Sequence, residues 1–570
     1  MTDAHPATRA TGAPTLRAQV RDALERAWTR AIASGALPAL PDDAPPPVIE
    51  IARPTHPEHG DFATNLAMKL ARPYRMAPLA IAAALAEALQ ADPDGDDRRL
   101  IESAEVAPPG FLNLRLADAA LERSIAGILA LPGGWGRVEA VTPQRINVEF
   151  VSANPTGPLH VGNARGAFVG DLLCRVLEAG GHTVAREYYF NDFGAQIRQL
   201  GASVAAERAG EPAPEDGYKA TYVADLARDI PADVWAAATA DGADREWVVG
   251  LWASEAVRAG IEASLARLGV RFDVWKSEGS LHTEGWVDRA VERLKAAGHL
   301  YEEGGALWFR STAFGDDKDR VIRKSNGDIT YFGSDIGYVT EKFSRGFDHL
   351  IYIWGADHHG TVARVRNAAE AMGYDKGAVE MLLIAWVRFV RDGVEVSMSK
   401  RSGEFITLDE LLEEIGVDAA RWYFASRAHT SGIDLDIELA KKQSAENPVY
   451  YVQYAHARIA SILRKATEAG LAPAAGVTGA LAGAPEASLA RVVVRLPEIV
   501  EDAAQAHETQ GVTAFAMDVA TAFHAFYRDA RVVDPAEPER SAARLALAEA
   551  TRITLANALG LLGISAPDQM

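Results

Sequence analysis

Residues 146–171 read INVEFVSANPTGPLHVGNARGAFVGD, and this stretch decides the fold of the chain. The first seven residues carry the β-branched and aromatic side chains of a strand and lead into turn-forming residues at 154–158. Apolar side chains at helical spacing follow from Gly162, and Gly180-Gly181 ends that pattern. The order strand, tight turn and helix predicts the opening unit of a parallel α/β sheet.

The predicted turn is typical of a phosphate-binding site. The first N–H groups of a helix lack partners within the helix and lie at the positive end of its dipole. His160 and Asn163 are three residues apart and can face the same anion, while Gly162 lets a nucleotide approach the backbone. Many α/β proteins place the same turn before a helix for structural reasons, so these residues alone leave both interpretations open.

A family resemblance favours the nucleotide site. The segment PLHVGN resembles the His-Ile-Gly-His signature of class I aminoacyl-tRNA synthetases, and VEFVSANPTGPLHVGNARGA resembles the arginyl-tRNA synthetases. Asn163 stands where this family usually carries a second His. The resemblance implies that Pro158, His160, Gly162 and Asn163 bind ATP, and that His160 and Asn163 are catalytic.

Length and composition fit a multidomain globular protein. At roughly 100–200 residues per domain, 570 residues allow about three to four domains. A formal net charge of -20 argues against general coating of polyanions such as DNA but allows a local basic stripe for tRNA. The single cysteine, Cys174, excludes an internal disulfide framework, and no apolar run reaches the roughly 18 residues of a membrane span. We therefore expect a cytoplasmic protein with no membrane partner.

The pattern along the chain divides it into three regions. Residues 1–133 read as a small α+β domain, and 140–415 alternate strand and helix signals with an Ala-rich insertion near 202–268. Residues 416–570 lack strand signals and predict a helical bundle. The resemblance implies an added N-terminal domain that contacts tRNA, a Rossmann-like catalytic domain and an all-helical anticodon-binding domain.

Two residues predict a site for a cationic side chain. Tyr331 and Asp335 are four apart, so they share a face if the segment GSDIGY lies in a helix. An exposed capping Asp beside a core Tyr would give the same pattern. The resemblance implies that these two residues hold the substrate guanidinium, and that Glu149 and Asn154 hold the α-amino and carboxylate end of arginine.

Two segments combine His with acidic residues and raise the question of a metal. The run IWGADHHG places two adjacent His side chains after a buried strand, where neighbouring side chains point apart. In HPEHG no third ligand follows at a recognisable spacing, which favours a structural turn. We expect no protein-bound zinc, only Mg²⁺ carried by ATP. The resemblance implies that Asp357 and His358 line the adenosine pocket.

A second nucleotide-binding segment follows about 240 residues after the first. The sequence Ser397-Met398-Ser399-Lys400 resembles the Lys-Met-Ser-Lys loop of class I synthetases, with its first Lys replaced. A loop that ends in Lys can bring a cation to the charge developing on leaving pyrophosphate. We therefore expect Met398 and Lys400 at the ATP site, with Lys400 catalytic.

The third region carries aromatic and basic residues suited to unpaired bases. The segment GVDAARWYFASR resembles the start of the anticodon-binding domain of class I synthetases. Aromatic rings beside cations stack on bases, although at a period of 3.6 residues some of these rings must face the core. The residues that we expect to contact tRNA are Tyr451, Tyr454, Arg458, Tyr527 and the terminal Met570.

Together these resemblances imply a monomeric arginine–tRNA ligase. It would activate arginine with Mg-ATP and transfer it to the 3′-terminal ribose of tRNA(Arg). Two alternatives remain open from sequence. A nucleotidyltransferase acting on another carboxylic acid would explain the sheet but not the third region, and a non-catalytic tRNA-binding relative would explain the end domains.

Lys400→Ala tests the second nucleotide segment. If Lys400 meets charge on the leaving pyrophosphate, this variant should lower kcat for adenylate formation by roughly 10²–10³-fold, with a smaller change in KM for ATP. Pre-steady-state adenylate formation measures both. Parental activity in Lys400→Ala would transfer the role to Arg401, the next cation in the sequence.

Overall fold

A computed structural model describes residues 14–92, 95–396, 406–477, 481 and 483–570. The N-terminal region is an antiparallel sheet in the order β1-β3-β2, covered by helices on one face. Its elements are α1 (Leu16–Ala33), β1 (Phe62–Thr64), α2 (Leu66–Tyr74), α3 (Pro78–Gln90), α4 (Asp96–Leu100), β2 (Ile101–Ala107), β3 (Phe111–Leu116) and α5 (Asp118–Ala130).

The central region begins with the unit that the sequence predicts, followed by a helical insertion. The insertion has its own apolar core, which includes Leu200, Val223 and Val249. It starts at Ala195, a few residues earlier than the Ala-rich pattern indicates. The elements are β4 (Arg145–Glu149), α6 (Val161–Ala179), β5 (Thr183–Phe190), α7 (Ala195–Ala209), α8 (Thr221–Asp229), α9 (Ala232–Ala238), α10 (Arg245–Arg267) and β6 (Val274–Ser277).

The second half of this region completes the sheet and adds two smaller sheets. Its elements are α11 (Glu278–Thr283), α12 (Trp286–Ala296), β7 (Leu300–Glu303), β8 (Ala306–Phe309), β9 (Arg320–Arg323), α13 (Tyr331–Ser344), β10 (His349–Gly355), α14 (His359–Ala371), β11 (Val379–Ile384), β12 (Val387–Arg391), β13 (Val394–Val396), α15 (Leu408–Ile415), α16 (Val417–Ala425), β14 (Ile433–Asp436) and α17 (Ile437–Lys441).

Within the described ranges, the main sheet has five parallel strands in the order β11-β10-β4-β5-β6. The first strand of this region, β4, lies at the centre of the sheet, with β10 on one side and β5 on the other. Glu149 at the end of β4 stands opposite Tyr352 of β10 and Glu187 of β5. Because ligands bind outside the carboxyl ends of such strands, this register places polar side chains where a site is expected.

One expectation about the third region is wrong. We expected no strand after residue 416, but β14 pairs in parallel with β12 at Ile433 to Asp436. The strand has four residues, and two of them are charged, which is why no hydrophobic run signals it. The first part of the predicted third region therefore packs with the central region.

A helical bundle ends the chain. Its longest helix, α22, has the length and the apolar composition needed to cross a membrane. However, 67% of its most apolar 18-residue segment is buried inside the protein. That burial is typical of a core helix in a bundle. The helices are α18 (Pro448–Glu468), α19 (Ala484–Val493), α20 (Leu496–Ala506), α21 (Gln510–Asp529) and α22 (Pro538–Leu562).

Arg421 of α16 joins the central sheet to the bundle. Its buried guanidinium donates to the carbonyls of Leu268 at 2.8 and 2.9 Å and of Leu562 at 3.0 Å, and to Asp171 of α6 at 2.9 Å. Burial lowers the pKa of Arg421, while Asp171 opposes that shift. A Cβ at Gly563 would lie 2.2 Å from this guanidinium, so the chain requires glycine there.

Arg421→Ala should destabilise the protein by about 1–3 kcal/mol for each of the two buried carbonyls, of Leu268 and Leu562, that it leaves without a donor. Asp171 loses one donor but keeps Arg175 at 2.8 Å. The midpoint of urea unfolding measures this loss. As a control, Arg388→Ala removes an exposed ion pair with Asp434 and should leave the midpoint at the parental value. Equal midpoints for the two variants would contradict the role of Arg421 as an interdomain anchor.

Candidate active site

A cavity of about 1100 Å³ opens at the carboxyl ends of β4, β10 and β11. Pro158 is exposed on the preceding turn and does not line the cavity, while Met398 and Lys400 lie outside the described residues. The other nine residues predicted from sequence as ATP or arginine ligands converge on one space. Those that line it are Glu149, Asn154, His160, Gly162, Asn163, Tyr331, Asp335, Asp357 and His358.

His160 forms the N-cap of α6. Its Nδ1 accepts the backbone N–H of Gly162 at 3.1 Å, so the neutral ring carries its proton on Nε2. Burial lowers the pKa of His160, which favours the neutral form. A Cβ at Gly162 would lie 2.8 Å from this ring, so glycine makes room for the imidazole itself.

Asn163 completes a capping box with His160. Its Oδ1 accepts the backbone N–H of His160 at 3.2 Å, which leaves the amide NH₂ as a donor. The donor that the cavity can use at this position is therefore the NH₂ group. An Asn in place of the usual His keeps both a cap and a donor.

One expectation about the start of α6 is wrong. We expected the first backbone N–H groups of the helix to be unpaired, but Val161 donates to Ile406 at 3.1 Å and Asn163 donates to the His160 carbonyl at 2.9 Å. Together with the bond from Gly162 to His160, these contacts occupy the first three N–H groups. The side chains of His160 and Asn163, rather than the backbone, offer donors to a ligand.

The described chain resumes after residues 397–405 directly beside this cap. Leu408 donates to the carbonyl of Leu159 at 2.9 Å, and Thr407 forms a bridge with His160. Thr407 and Glu410 also form the capping box of α15. The segment that follows Lys400 in sequence is thus held against the predicted phosphate site.

Glu149 and Lys342 form a buried ion pair at the base of the cavity. Lys342 Nζ lies 2.6 Å from Glu149 and above the rings of Tyr338 and Tyr352 at 4.2 and 3.9 Å. Burial raises the pKa of Glu149, and Lys342 opposes that rise. The second carboxylate oxygen accepts from Ser152 at 3.1 Å.

The backbone that follows Glu149 is strained. Val151 and Ser152 have φ of 67° and 43°, values that non-glycine residues rarely adopt. Tyr188 holds this turn, because its hydroxyl donates to the Ala153 carbonyl at 2.9 Å and accepts the Ala153 N–H at 3.1 Å. Such strain is concentrated at ligand sites, where the surrounding structure fixes it.

A second carboxylate, Glu187, supports this base, and sequence analysis missed it. Its side chain accepts from Asn147 at 2.7 Å, from Arg345 at 2.8 Å and from the hydroxyl of Tyr338. Burial raises the pKa of Glu187, but Lys342 and Arg345 outweigh that effect and lower it. These residues come from β4, β5 and the helix α13 with its C-cap residue, which are far apart in sequence, so no local pattern reveals the network.

Asp335 lies in the second turn of α13 and lines the cavity. The pKa of Asp335 is raised to about 7, first by burial and then by the neighbouring Glu149 and Glu278, while Arg364 opposes the rise. Among the described residues, no hydrogen-bond donor contacts its carboxylate. Tyr331 is the first residue of the same helix and is exposed at the rim.

Glu278 is the second residue that sequence analysis missed. It begins α11, is buried, and accepts the hydroxyl of Ser334 at 3.1 Å. It lines the cavity beside Asp335, so two carboxylates face one region of the wall. Its segment, KSEGSLH, has no motif that would have identified it.

Asp357 and His358 lie in the short 3-10 turn after β10, line the cavity and are exposed. His358 Nε2 is 3.6 Å from Asp357, and its ring is 5.8 Å from that of Trp354. The predicted strand followed by a polar turn is confirmed. This rim combines an aromatic face with hydrogen-bonding groups, which suits a planar base.

A separate aromatic surface lies on the bundle. The guanidinium of Arg458 is 5.1 Å from the ring centres of both Tyr454 and Tyr527, which are exposed. Tyr451 is half-buried against His524, a ring that sequence analysis did not single out. The structure therefore groups Tyr454, Arg458 and Tyr527, and Met570 is exposed at the end of the chain.

Three family matches cover most of the chain. Residues 14–116 match the arginyl tRNA synthetase N-terminal domain, 128–431 match the class I (R) tRNA synthetase catalytic domain, and 452–570 match the DALR anticodon-binding domain. These matches follow the order of the three structural regions.

Similar whole proteins agree with these matches. An arginine–tRNA ligase from a Geobacter species is 46% identical over 92% of this chain and 95% of its own length, and one from Citrifermentans bemidjiense gives the same values. The arginyl-tRNA synthetase of Thermus thermophilus is 25% identical with a TM-score of 0.73, covering 96% of this chain and 100% of its own. That of Plasmodium falciparum has a TM-score of 0.74 at 16% identity, covering 98% and 100%, which shows the shared fold.

Asp335→Asn should stabilise the protein at high pH. A carboxyl whose pKa is about 7 in the folded chain and about 4 unfolded favours folding when protonated, and this contribution is lost as pH rises from about 4 to 7. The variant should therefore exceed the parent in Tm at pH 8, with a smaller difference at pH 5. The pKa of exposed Asp434 is lowered by Arg388, so Asp434→Asn should gain nothing at pH 8. A pH-independent Tm difference for Asp335→Asn would contradict the raised pKa.

Proposed function

This chain belongs to the arginyl-tRNA synthetase family and is an arginine–tRNA ligase, and we propose that the cavity at the carboxyl ends of β4, β10 and β11 is where it activates arginine with ATP. The observation that carries this proposal is the pair of carboxylates on the cavity wall, Asp335 and Glu278. A cation placed between them would relieve their repulsion and lower the raised pKa of Asp335. A guanidinium is the substrate group that offers such a charge with several donors.

The guanidinium is held by Asp335, Glu278 and Tyr331 in this proposal. Arg364 is the neighbouring cation that opposes the negative charge of Asp335, and its Nε has no hydrogen-bond partner among the described residues. A fixed positive charge beside two carboxylates leaves a net negative site. A neutral side chain of similar length would supply no positive charge to Asp335 and Glu278, which is a strong basis for selectivity.

The α-amino end of arginine binds near Glu149 and Asn154. Asn154 donates its amide to Gln196 at 2.9 Å, so its Oδ1 is oriented to accept from the substrate ammonium. Glu149 lines the same part of the cavity and lies 2.6 Å from Lys342, where its carboxylate can also accept from the ammonium. The arginine carboxylate then extends toward the cap of α6, where the phosphates bind.

The first step is in-line attack of the arginine carboxylate oxygen on the α-phosphorus of ATP. The phosphorus–oxygen bond to pyrophosphate breaks and arginyl-adenylate forms, without a protein nucleophile. His160 Nε2–H and the NH₂ of Asn163 donate to phosphate oxygens as charge builds on them. Lys400 meets the charge on the leaving pyrophosphate. The nucleotide is contacted by Met398, Gly162, Asp357 and His358. Mg²⁺ arrives with ATP.

The second step transfers arginine to tRNA(Arg). The 2′-hydroxyl of the terminal ribose attacks the activated carbonyl and releases AMP. The ring and guanidinium surface of Tyr454, Arg458 and Tyr527, with Tyr451 and Met570, supports binding of unpaired anticodon bases by stacking. We propose that the enzyme acts as a cytoplasmic monomer and does not bind DNA.

ATP–pyrophosphate exchange with each amino acid, with and without tRNA, tests this assignment. Of the amino acids, only arginine should support exchange. Asp335→Ala should raise KM for arginine far more than KM for ATP. Exchange with another acid would favour a nucleotidyltransferase, and no exchange with intact tRNA binding would favour a non-catalytic relative. A KM for arginine within threefold of the parent in Asp335→Ala would remove Asp335 from the guanidinium site.

Asn163 should tolerate His but not Ala. Asn163→His keeps a cap and an N–H donor and should stay within about tenfold of parental adenylate formation. Asn163→Ala should lose about 1.5–3 kcal/mol of transition-state stabilisation, the worth of a hydrogen bond to a charged group. Pre-steady-state adenylate formation measures both variants. Parental rates in Asn163→Ala would leave His160 as the donor on that side of the phosphate.

A further inference from the structure

Three metal-ligating side chains converge where the central sheet meets the bundle. His349 begins β10, Glu380 lies on β11 and His507 follows the last residue of α20. Glu380 Oε2 is 3.0 Å from His349 Nε2 and 2.8 Å from His507 Nδ1. The three donor atoms all lie within 4.8 Å of one another. None of these residues lines the catalytic cavity.

The sheet itself brings the first two side chains together. Ile351 of β10 pairs with Glu380 of β11, and His349 is two residues before Ile351. His349 therefore projects from the same face as Ile351, diagonally across from Glu380. His507 arrives from the bundle with φ of 53°, which places it beside the other two. Two ligands thus come from the catalytic region and one from the bundle.

We propose that His349, Glu380 and His507 bind a divalent transition ion of the zinc class. Two imidazole nitrogens and one carboxylate oxygen form a set that suits Zn²⁺, with water as the fourth ligand. Ligand atoms about 2.0–2.2 Å from a tetrahedral ion lie roughly 3.3 Å from one another. The donor atoms need to move by only fractions of an ångström to about one ångström to reach that arrangement.

The surroundings of the cluster favour a cation. The side chains of His349 and His507 are each 16% exposed and that of Glu380 is 31% exposed, so an ion and a water can enter. His349 and His507 both hydrogen-bond Glu380, so its carboxylate already lies between the two imidazoles.

A bound ion would link the catalytic sheet to the anticodon-binding bundle, in addition to the hydrogen bonds of Arg421. The sequence did not predict this site, and we expected no protein-bound zinc. Two segments, around His56 and His358, raised the question of a metal in the sequence. In the described part of the chain, neither brings three donor atoms close enough to share an ion. The proposed site needs residues more than 100 positions apart, from His349 to His507.

Cobalt titration of the untagged full-length protein, stripped with a chelator, tests the site. The parent should bind one Co²⁺ per chain with visible d–d absorption, Zn²⁺ should displace it, and Zn²⁺ should raise Tm. His507→Gln and Glu380→Gln should each weaken Co²⁺ binding at least tenfold and remove the Zn²⁺-dependent rise in Tm. Glu380→Gln preserves size and an acceptor oxygen, and circular dichroism confirms that each variant is folded.

His59→Gln is the matched control, because His59 lies in an exposed turn with another His and a Glu. It should bind Co²⁺ as the parent does. The proposal is overturned if the parent gives no d–d absorption, or if His507→Gln and Glu380→Gln bind Co²⁺ as tightly as the parent. It is also overturned if His59→Gln alone loses binding.

Discussion

The buried ion pair between Glu149 and Lys342 is the constraint on which the cavity depends. The pair closes the carboxyl end of the central strand β4, and the two tyrosine rings above Lys342 help to keep its ammonium desolvated. Removing either partner would leave a buried charge, a change that typically costs several kcal/mol. Because Lys342 is committed to Glu149, it does not neutralise Asp335 and Glu278 farther along the wall. The site therefore retains negative charge for a cationic substrate.

On the phosphate side of the cavity, hydrogen bonds within the protein likewise decide which groups remain for a ligand. The first N–H groups of α6 are used within the protein, so the ligand meets an imidazole N–H and an amide NH₂ whose orientations are fixed by the capping box. This explains how Asn163 can replace the usual His, since the cap requires an acceptor and the ligand requires a donor. The contacts of Ile406 and Leu408 with this cap join the two nucleotide segments, although they are about 240 residues apart.

Local sequence patterns predicted much of this structure. The unit from Ile146 to Gly180, the helix that begins at Tyr331 and the strand before Asp357 each leave a periodic or turn signal within one segment. Glu187, Glu278 and Lys342 leave none, because their roles depend on which strands and helices become neighbours. The strand at Ile433 was missed since its four residues are stabilised by pairing with β12, not by their own hydrophobicity. The cluster at His349, Glu380 and His507 escaped prediction for the same reason.

The most direct test of the account is the number of protons released when arginine binds. The guanidinium should lower the pKa of Asp335 from about 7, so binding should release about 0.9 proton at pH 6 and about 0.1 at pH 8. Isothermal titration calorimetry in buffers of different ionisation enthalpy measures this number at each pH. A release that falls in this way from pH 6 to pH 8 is the predicted result. Binding heats that do not depend on the buffer at pH 6 would contradict a guanidinium held by Asp335.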